Sequence, residues 1–306
     1  MTVIGNVRIF HCNDEECPKL LYHYTTINAL YNIFKNKELW LGNTSAMNDK
    51  NEITEFYNNL KARLLSDFPD KEETINSLIN FSINKIDRNY PFVMSFSTCK
   101  DDAAQWDRYA DKAQGGCIVF NRPKLVELLS DLPMGLDKVY YGDDVSEICN
   151  RDYHILSDYL KSDKTTNLIF ENESNNTFNQ VKDSLTYLIN YAVKYKNMSF
   201  ASEKEYRIYT SSGRPTNADF NFFMSHSNPT HSPVCFDYQI SGNQIKKILK
   251  IRLDNQYHKI KLDDIIERII VGPRSEQSLA ILKEYLKTEE CPQLAEKIEN
   301  SKCTLR

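Results

Sequence analysis

No run of apolar residues in this sequence approaches the length that crosses a bilayer. Its start, MTVIGNVRIFHCNDEECPK, has no basic stretch leading into an apolar core. These absences set the expectation of a cytoplasmic chain with no membrane attachment. Neither G-x-G-x-x-G nor G-x-x-x-x-G-K-[ST] occurs, which argues against a Rossmann or P-loop nucleotide site. The eight cysteines, at 12, 17, 99, 117, 149, 235, 291 and 303, never form a C-x-x-C pair, so free thiols are expected rather than a zinc ribbon. His11, Cys12 and Cys17 lie close in sequence but lack the second pair that a metal site needs. Charge imbalance is also small: a formal net charge of −4 gives no global drive toward nucleic acid or anionic membrane.

What is present suffices for a folded body. A chain of 306 residues that is 41% hydrophobic and 11% aromatic can bury a substantial core. Short strand-like runs (LLYHYT, ELWLGN, PFVMSFS, GGCIVF, EKEYRIYT, VCFDYQI, KKILKIRL, ERIIVGP) alternate with helical patterns. After the first run, Ile27, Leu30, Tyr31 and Phe34 mark one helix face, with Thr25 or Thr26 as its cap. Ile53, Phe56, Tyr57, Leu60 and Leu64 mark another. DDAAQWDRYAD reads as a helix capped by Asp101 or Asp102, with Trp106, Tyr109 and Ala110 inward. Residues 144–197 are mainly helical, with Phe178, Val181, Leu185, Leu188, Ala192 and Val193 at helical spacing, and SEQSLAILKEYLK closes the chain as a helix. The expectation is one α+β domain over residues 1–306, with a helical insertion at about 144–197.

Strand alternation places residues two apart on one face. His23 then shares a face with Thr25, Ser95 with Ser97, and Glu203 with Glu205, while Tyr22, Tyr24, Met94, Phe96 and Tyr206 point the other way. Three strands each display a polar pair, suited to a hydroxylated, partly cationic ligand. Two carboxylates so close repel when ionised, and partial burial would raise one pKa toward neutrality. An ordinary solvated face, with the glutamates paired to Lys204, Arg207 or nearby lysines, is the bland alternative.

In this order the motifs resemble the ADP-ribosyltransferase-like superfamily: a histidine in LYHYTT, a serine-x-serine in SFS followed by QWDRYAD, and a glutamate-x-glutamate in EKEYRI. The runs LYHYTT, NDKNE, SFS, QWDRYAD, EKEYRI and IIVG are also similar to an uncharacterised bacterial domain-of-unknown-function family, whose related proteins are linked to phage defence or toxicity. The first resemblance implies a mixed or antiparallel split sheet with helical insertions and NAD as substrate. It implies that His23 orients NAD, Ser95 and Ser97 support the nicotinamide pocket and the glutamate, Glu205 is catalytic, and Glu203 positions or deprotonates the acceptor. Tyr24, Thr25 and Tyr109 join the NAD-binding set, with Trp106 and Tyr206 as further stacking candidates. The motifs depart from the superfamily in one respect: this histidine usually accompanies a tyrosine, and serine-x-serine a first-strand arginine.

The resulting expectation is an NAD-consuming transferase, a toxin or anti-phage effector, acting on an unidentified protein, nucleic acid or small molecule. A phage-derived trigger or a cognate antitoxin would be its regulator. NAD hydrolysis is the near alternative, and a non-catalytic nucleotide or phage-protein sensor the distant one. Arg8, Arg108, Arg207 and Arg214 are candidates for pyrophosphate contact. Asn48, Asp49 and Glu52 could ligate a hard cation as the centre of a nuclease, although a helix cap explains the first two more simply. His226 and His231 fall in a loop-like stretch and carry no motif.

Overall fold

A computed structural model describes residues 17–44, 51–86, 91–130, 132, 134–162, 176–210, 233–241, 243–253 and 260–305. Strand β1 (Leu20–Thr25) runs into helix α1 (Ile27–Asn36), whose first turn is closed by Thr26: its side chain accepts from the Ala29 amide. Lys37, at φ 52°, ends the helix in the left-handed region, and β2 (Glu38–Asn43) follows. Leu30, Ile33 and Phe34 are the buried face of α1. Tyr31, expected inward, is exposed and stacks on Tyr285 instead.

Helices α2 (Asn51–Asp67) and α3 (Glu72–Ile86) precede β3 (Phe92–Ser97). Helix α4 (Ala103–Tyr109) begins where Asp102 accepts from the Ala104 and Gln105 amides. Trp106 and Ala110 are fully buried beneath it, whereas Tyr109, also expected inward, is 42% exposed. Strand β4 (Gly116–Asn121), helix α5 (Arg122–Leu129), β5 (Met134–Lys138) and β6 (Tyr140–Tyr141) come next. The region read as a helical insertion holds α6 (Val145–Ile148), α7 (Asn150–Lys161), α8 (Asn176–Ala192) and the two-residue β7 (Tyr195–Lys196). Strands β8 (Glu205–Thr210), β9 (Val234–Ser241), β10 (Gln244–Arg252), β11 (Ile266–Val271) and β12 (Ile298–Asn300) complete the sheet, with a helix at Leu279–Thr288 before the last. The fold is α+β.

The main sheet runs β12-β11-β4-β1-β3-β2-β10-β9, and β8 pairs with β3 and β5. Every described pairing within it is antiparallel except β11 with β12. Strand β3 is the junction. Along one edge it pairs with β8, from Val93↔Tyr209 to Ser97↔Glu205. Its other edge is shared: β2 pairs at Phe92 and Val93, and β1 pairs at Ser97. Between those ends β1 and β2 diverge, so the sheet splits beside Met94, Ser95 and Phe96.

Three apolar clusters hold these layers. The largest buries Leu21, Phe34, Leu41, Phe96, Phe120 and Ile208 on one side of the sheet. On the other side, Val93 and Tyr209 pack under α2, α3, α7 and α8, joined by Val181, Leu185, Leu188 and Ala192. Tyr22, Tyr24, Trp106 and Val119 form the third, beneath α4. Helices α7 and α8 therefore share their core with α2 and α3. Among the described residues, the sheet face between the second and third clusters is left open.

Backbone packing is tight where α4 returns to the sheet. Asp111, Lys112 and Ala113 all take positive φ, and a Cβ on Gly115 would lie 2.1 Å from the Thr25 carbonyl oxygen. Gly115→Ala should cost about 2 kcal/mol through this overpacking. Gly42→Ala, where a Cβ meets nothing within 4 Å, should unfold in urea close to the wild-type midpoint.

Candidate functional site

The open face carries a cleft of about 340 Å³. Cross-strand partners share a face, so the registers Tyr22↔Ser97, Ser95↔Arg207 and Ser97↔Glu205 decide which residues look into it. Ser95, Ser97, Glu205 and Arg207 lie together on that face, with Tyr22 and Tyr24 beside them. His23 has the opposite parity, with Phe96 and Tyr206. This corrects the expected grouping: the tyrosines, not the histidine, share the face of the serines and the carboxylate.

His23 nevertheless lines the cleft, because its part-buried ring reaches Ser95 of β3 in the split between β1 and β2. Its Nδ1 is 2.9 Å from the Ser95 carbonyl oxygen, and its ring centroid is 5.7 Å from that of Phe96. A carbonyl oxygen only accepts, so Nδ1 carries the proton of that bond. Burial lowers the His23 pKa, outweighing the opposing effect of the Ser95 carbonyl. The ring is therefore neutral at pH 7, with Nε2 left as an acceptor.

Glu203 is not on the strand. It ends a 3-10 segment, Met198–Glu203, and Lys204, at φ 45°, turns the chain before β8 begins at Glu205. The two glutamates meet through other atoms. Ser97 Oγ donates to the Glu203 carbonyl oxygen at 2.7 Å and accepts from the Cys99 amide, which fixes the loop to β3. The Glu203 carboxylate accepts from Arg108, Tyr109 and Lys196, at 2.9, 2.7 and 2.7 Å. Glu205 receives Arg207 in a fork, Nε to Oε1 at 2.7 Å and a terminal nitrogen to Oε2 at 3.1 Å, and Lys196 reaches Oε2 at 3.1 Å. The Tyr141 hydroxyl accepts from the Glu205 amide at 2.8 Å.

Glu52 completes the cluster, 2.7 Å from Arg207 and 3.3 Å from Lys196. Its carboxylate is taken by two cations, which removes it as a metal ligand. Asn48 and Asp49, with Arg8, His11, Cys12, Arg214, His226 and His231, lie outside the described residues. Arg207 is 2% exposed and also donates to the Val193 carbonyl at 2.8 Å, so its guanidinium is an internal brace rather than a pyrophosphate contact.

Burial by itself pushes the Glu205 carboxyl up. Arg207, Lys196 and a hydrogen bond from Ser95 outweigh it and hold the pKa down to about 2. The expected raised carboxylate is thus overturned for Glu205, which is ionised throughout the physiological range. Lys196 is driven down by burial and more strongly up by Glu205, Glu52 and Glu203, so it stays charged. Three carboxylates and two cations give this buried group a net charge of −1, and Arg108, 48% exposed at the side chain, offsets it from the rim. The cluster offers an ionised, desolvated carboxylate below a neutral acceptor.

Of the other expected residues, Tyr109 lines the cleft and its hydroxyl is used by Glu203. Tyr24 lines it too, but its hydroxyl donates to the Cys99 carbonyl, accepts from the Asp102 amide, and its ring packs edge-on against Trp106. Thr25 is buried and is not among the lining residues. Sequence reasoning missed Lys196. Nothing in VKYKNMS marks Lys196 as buried, whereas Arg207 stands two positions from Glu205 on the same strand.

A family model described as "Protein of unknown function (DUF2971)" matches residues 105–208, about a third of the chain. The match runs from α4 to β8 and contains Tyr109, Lys196, Glu203, Glu205 and Arg207, but neither His23 nor the serine pair. No curated protein and no solved structure matches the chain. No described helix is long and apolar enough to cross a membrane.

The depressed Glu205 pKa has a consequence for stability. The unfolded carboxyl titrates near its ordinary value and the folded one near 2, so the unfolded chain binds the extra proton as pH falls. The contribution, on the order of 3 kcal/mol, is present above about pH 4.5 and lost as pH drops toward 2. Urea unfolding of wild type and Glu205→Gln across that window should show a steeper acid loss in the wild type. Equal slopes would contradict the assignment.

Proposed function

We propose that this chain is an ADP-ribosyltransferase-like enzyme that consumes NAD in the cleft at the sheet split. The observation that carries the reading is the meeting there of a neutral histidine with an open acceptor, a serine pair and an ionised, desolvated glutamate. His23 Nε2 can accept from a ribose hydroxyl. Ser97 holds the Glu203 backbone, and Ser95 lies on the same face as Glu205 and Arg207.

Cleavage of the bond between ribose and nicotinamide sends its electron pair to the ring nitrogen, and nicotinamide leaves neutral. Positive charge then grows on the ribose, where a net negative buried cluster lowers its energy. An acceptor nucleophile adds to the same carbon and completes transfer, while water in its place completes hydrolysis. Glu203 is buried and reaches the rim only through its ion pair with the half-exposed Arg108, and in this reading it serves the acceptor. Its ionised form would orient that group or take its proton. The acceptor class stays open between protein, nucleic acid and small molecule. NAD consumption suits a cytoplasmic toxin or anti-phage effector held in check by a trigger or an antitoxin.

One observation favours a second reading, a non-catalytic nucleotide sensor. The Glu205 carboxylate already accepts from Arg207 twice and from Lys196. Release of nicotinamide from NAD, followed by chromatography with and without cell or phage-infected lysate, separates the two. Wild type should release it, and Glu205→Gln should lose at least a hundredfold in rate while still binding NAD in calorimetry. NAD binding without release by either protein would select the sensor. An active, folded Glu205→Gln would remove Glu205 from the chemistry.

A further inference from the structure

Three cationic residues line the cleft, and two of them, Lys196 and Arg207, are consumed by Glu52, Glu203 and Glu205. The third is Lys246 on β10. It is half-buried, and among the described residues it has no ion pair and no hydrogen bond. Its cross-strand partner on β9 is Gln239, which also lines the cleft and whose side chain likewise has no described partner. The next cleft residue along β10, Ile248, is 1% exposed, so the neighbour of Lys246 on that strand face is apolar. Two positions further, Lys250 takes both nearby carboxylates, Glu38 at 3.2 Å and Asp237 at 2.6 Å. Lys246 makes no ion pair with a described acidic group.

Across the cleft the unpaired groups are of another kind. Gln105 on α4 is 5% exposed, lines the cleft, and its carboxamide makes no hydrogen bond to a described residue. A carboxamide so placed is costly unless a ligand or water meets it. With His23 Nε2 nearby on the β1 arm, this wall offers neutral donors and acceptors, while the β10 arm offers an uncompensated positive charge. Besides the ion cluster, the cleft thus has uncharged hydrogen-bonding groups at His23 and Gln105 and a cation with an amide at Lys246 and Gln239.

We propose that Lys246, with Gln239 beside it, is the anion subsite of this cleft and binds the pyrophosphate of a dinucleotide. The inference rests on the NAD reading for the identity of the dinucleotide, but the subsite itself needs only an anion. A lysine with no ion pair among the described residues pairs with phosphate oxygens at little cost in lost contacts.

Calorimetry on the full chain with NAD, ADP, inorganic pyrophosphate and the phosphate-free nicotinamide riboside tests it. Lys246→Ala should weaken NAD and ADP at least tenfold, Lys246→Glu more, and Lys246→Arg least. Nicotinamide riboside should bind all four proteins alike. Because Lys246 has no partner among the described residues, the urea midpoint of each variant should match the wild type, which separates lost binding from lost folding. NAD binding unchanged in Lys246→Glu would overturn the subsite and leave the NAD reading standing. Binding of ADP or pyrophosphate that depends on Lys246, without any binding of NAD, would support the subsite and remove NAD. No binding of any probe by wild type would overturn both.

Discussion

A guanidinium that is 2% exposed is the constraint around which the described molecule is arranged. Arg207 cannot shed its charge, and an unpaired ion at that depth would cost several kcal/mol. It is held by Glu205 on its own strand, by Glu52 on α2 and by the Val193 carbonyl just beyond α8. One side chain thus ties the sheet to two elements of the helical layer. The apolar cluster under α2, α3, α7 and α8 supplies most of the burial, yet apolar contacts are tolerant of sliding. The fork from Arg207 is not, because a shift of an ångström leaves a buried carboxylate or a buried donor unmet. The ion cluster fixes the register between layers that the apolar core holds together.

That register creates the cleft. With β8 fully paired along one edge of β3, the other edge is divided between β1 and β2, and the split between them is bridged by His23 on the Ser95 carbonyl. The same pairing aligns Ser97 with Glu205 and lets Ser97 hold the loop that presents Glu203. Elements that look independent in sequence become one device: a strand junction, a histidine in the gap and two anchored carboxylates. Lys246 and Gln239 close it from the far arm because β10 continues the sheet from β2.

Local periodicity carried the elements that lie within a single run. The pattern of Val181, Leu185, Leu188 and Ala192 gave α8, and alternation in PFVMSFS put Ser95 and Ser97 on one face. It failed where the answer depended on a partner strand. Nothing inside LLYHYT reveals that Tyr22 lies opposite Ser97, so the parity of His23 could not be read before the register was known. Glu203 and Glu205 satisfied alternation on paper, but Lys204 breaks the strand between them with a left-handed turn. Helix α3 escaped notice because NSLINFSINKI mixes polar and apolar positions loosely. The raised carboxylate was expected from repulsion alone; the neighbours that reverse it, Arg207 and Lys196, come from another face rule and another segment. Charge at a buried site is a property of the assembly, and sequence spacing samples only one member at a time.

The two readings of the cleft differ over a single ammonium. Arg207 is braced on four sides and cannot leave Glu205 without exposing Glu52 and Val193 to the same loss. Lys196 is different in kind: its compact charge sits on a flexible stem, with Glu203, Glu205 and Glu52 at 2.7, 3.1 and 3.3 Å. If it moves off Glu205 it keeps two carboxylates, so the desolvation cost of the ion does not return. A ligand whose own positive charge grows beside Glu205 would repel Lys196 in that direction and take its place. A ligand without such charge would leave the cluster closed, and the cleft would bind without reacting. Whether the site is an enzyme or a sensor is therefore decided by the charge that the ligand brings, against a carboxylate that the fold keeps ionised.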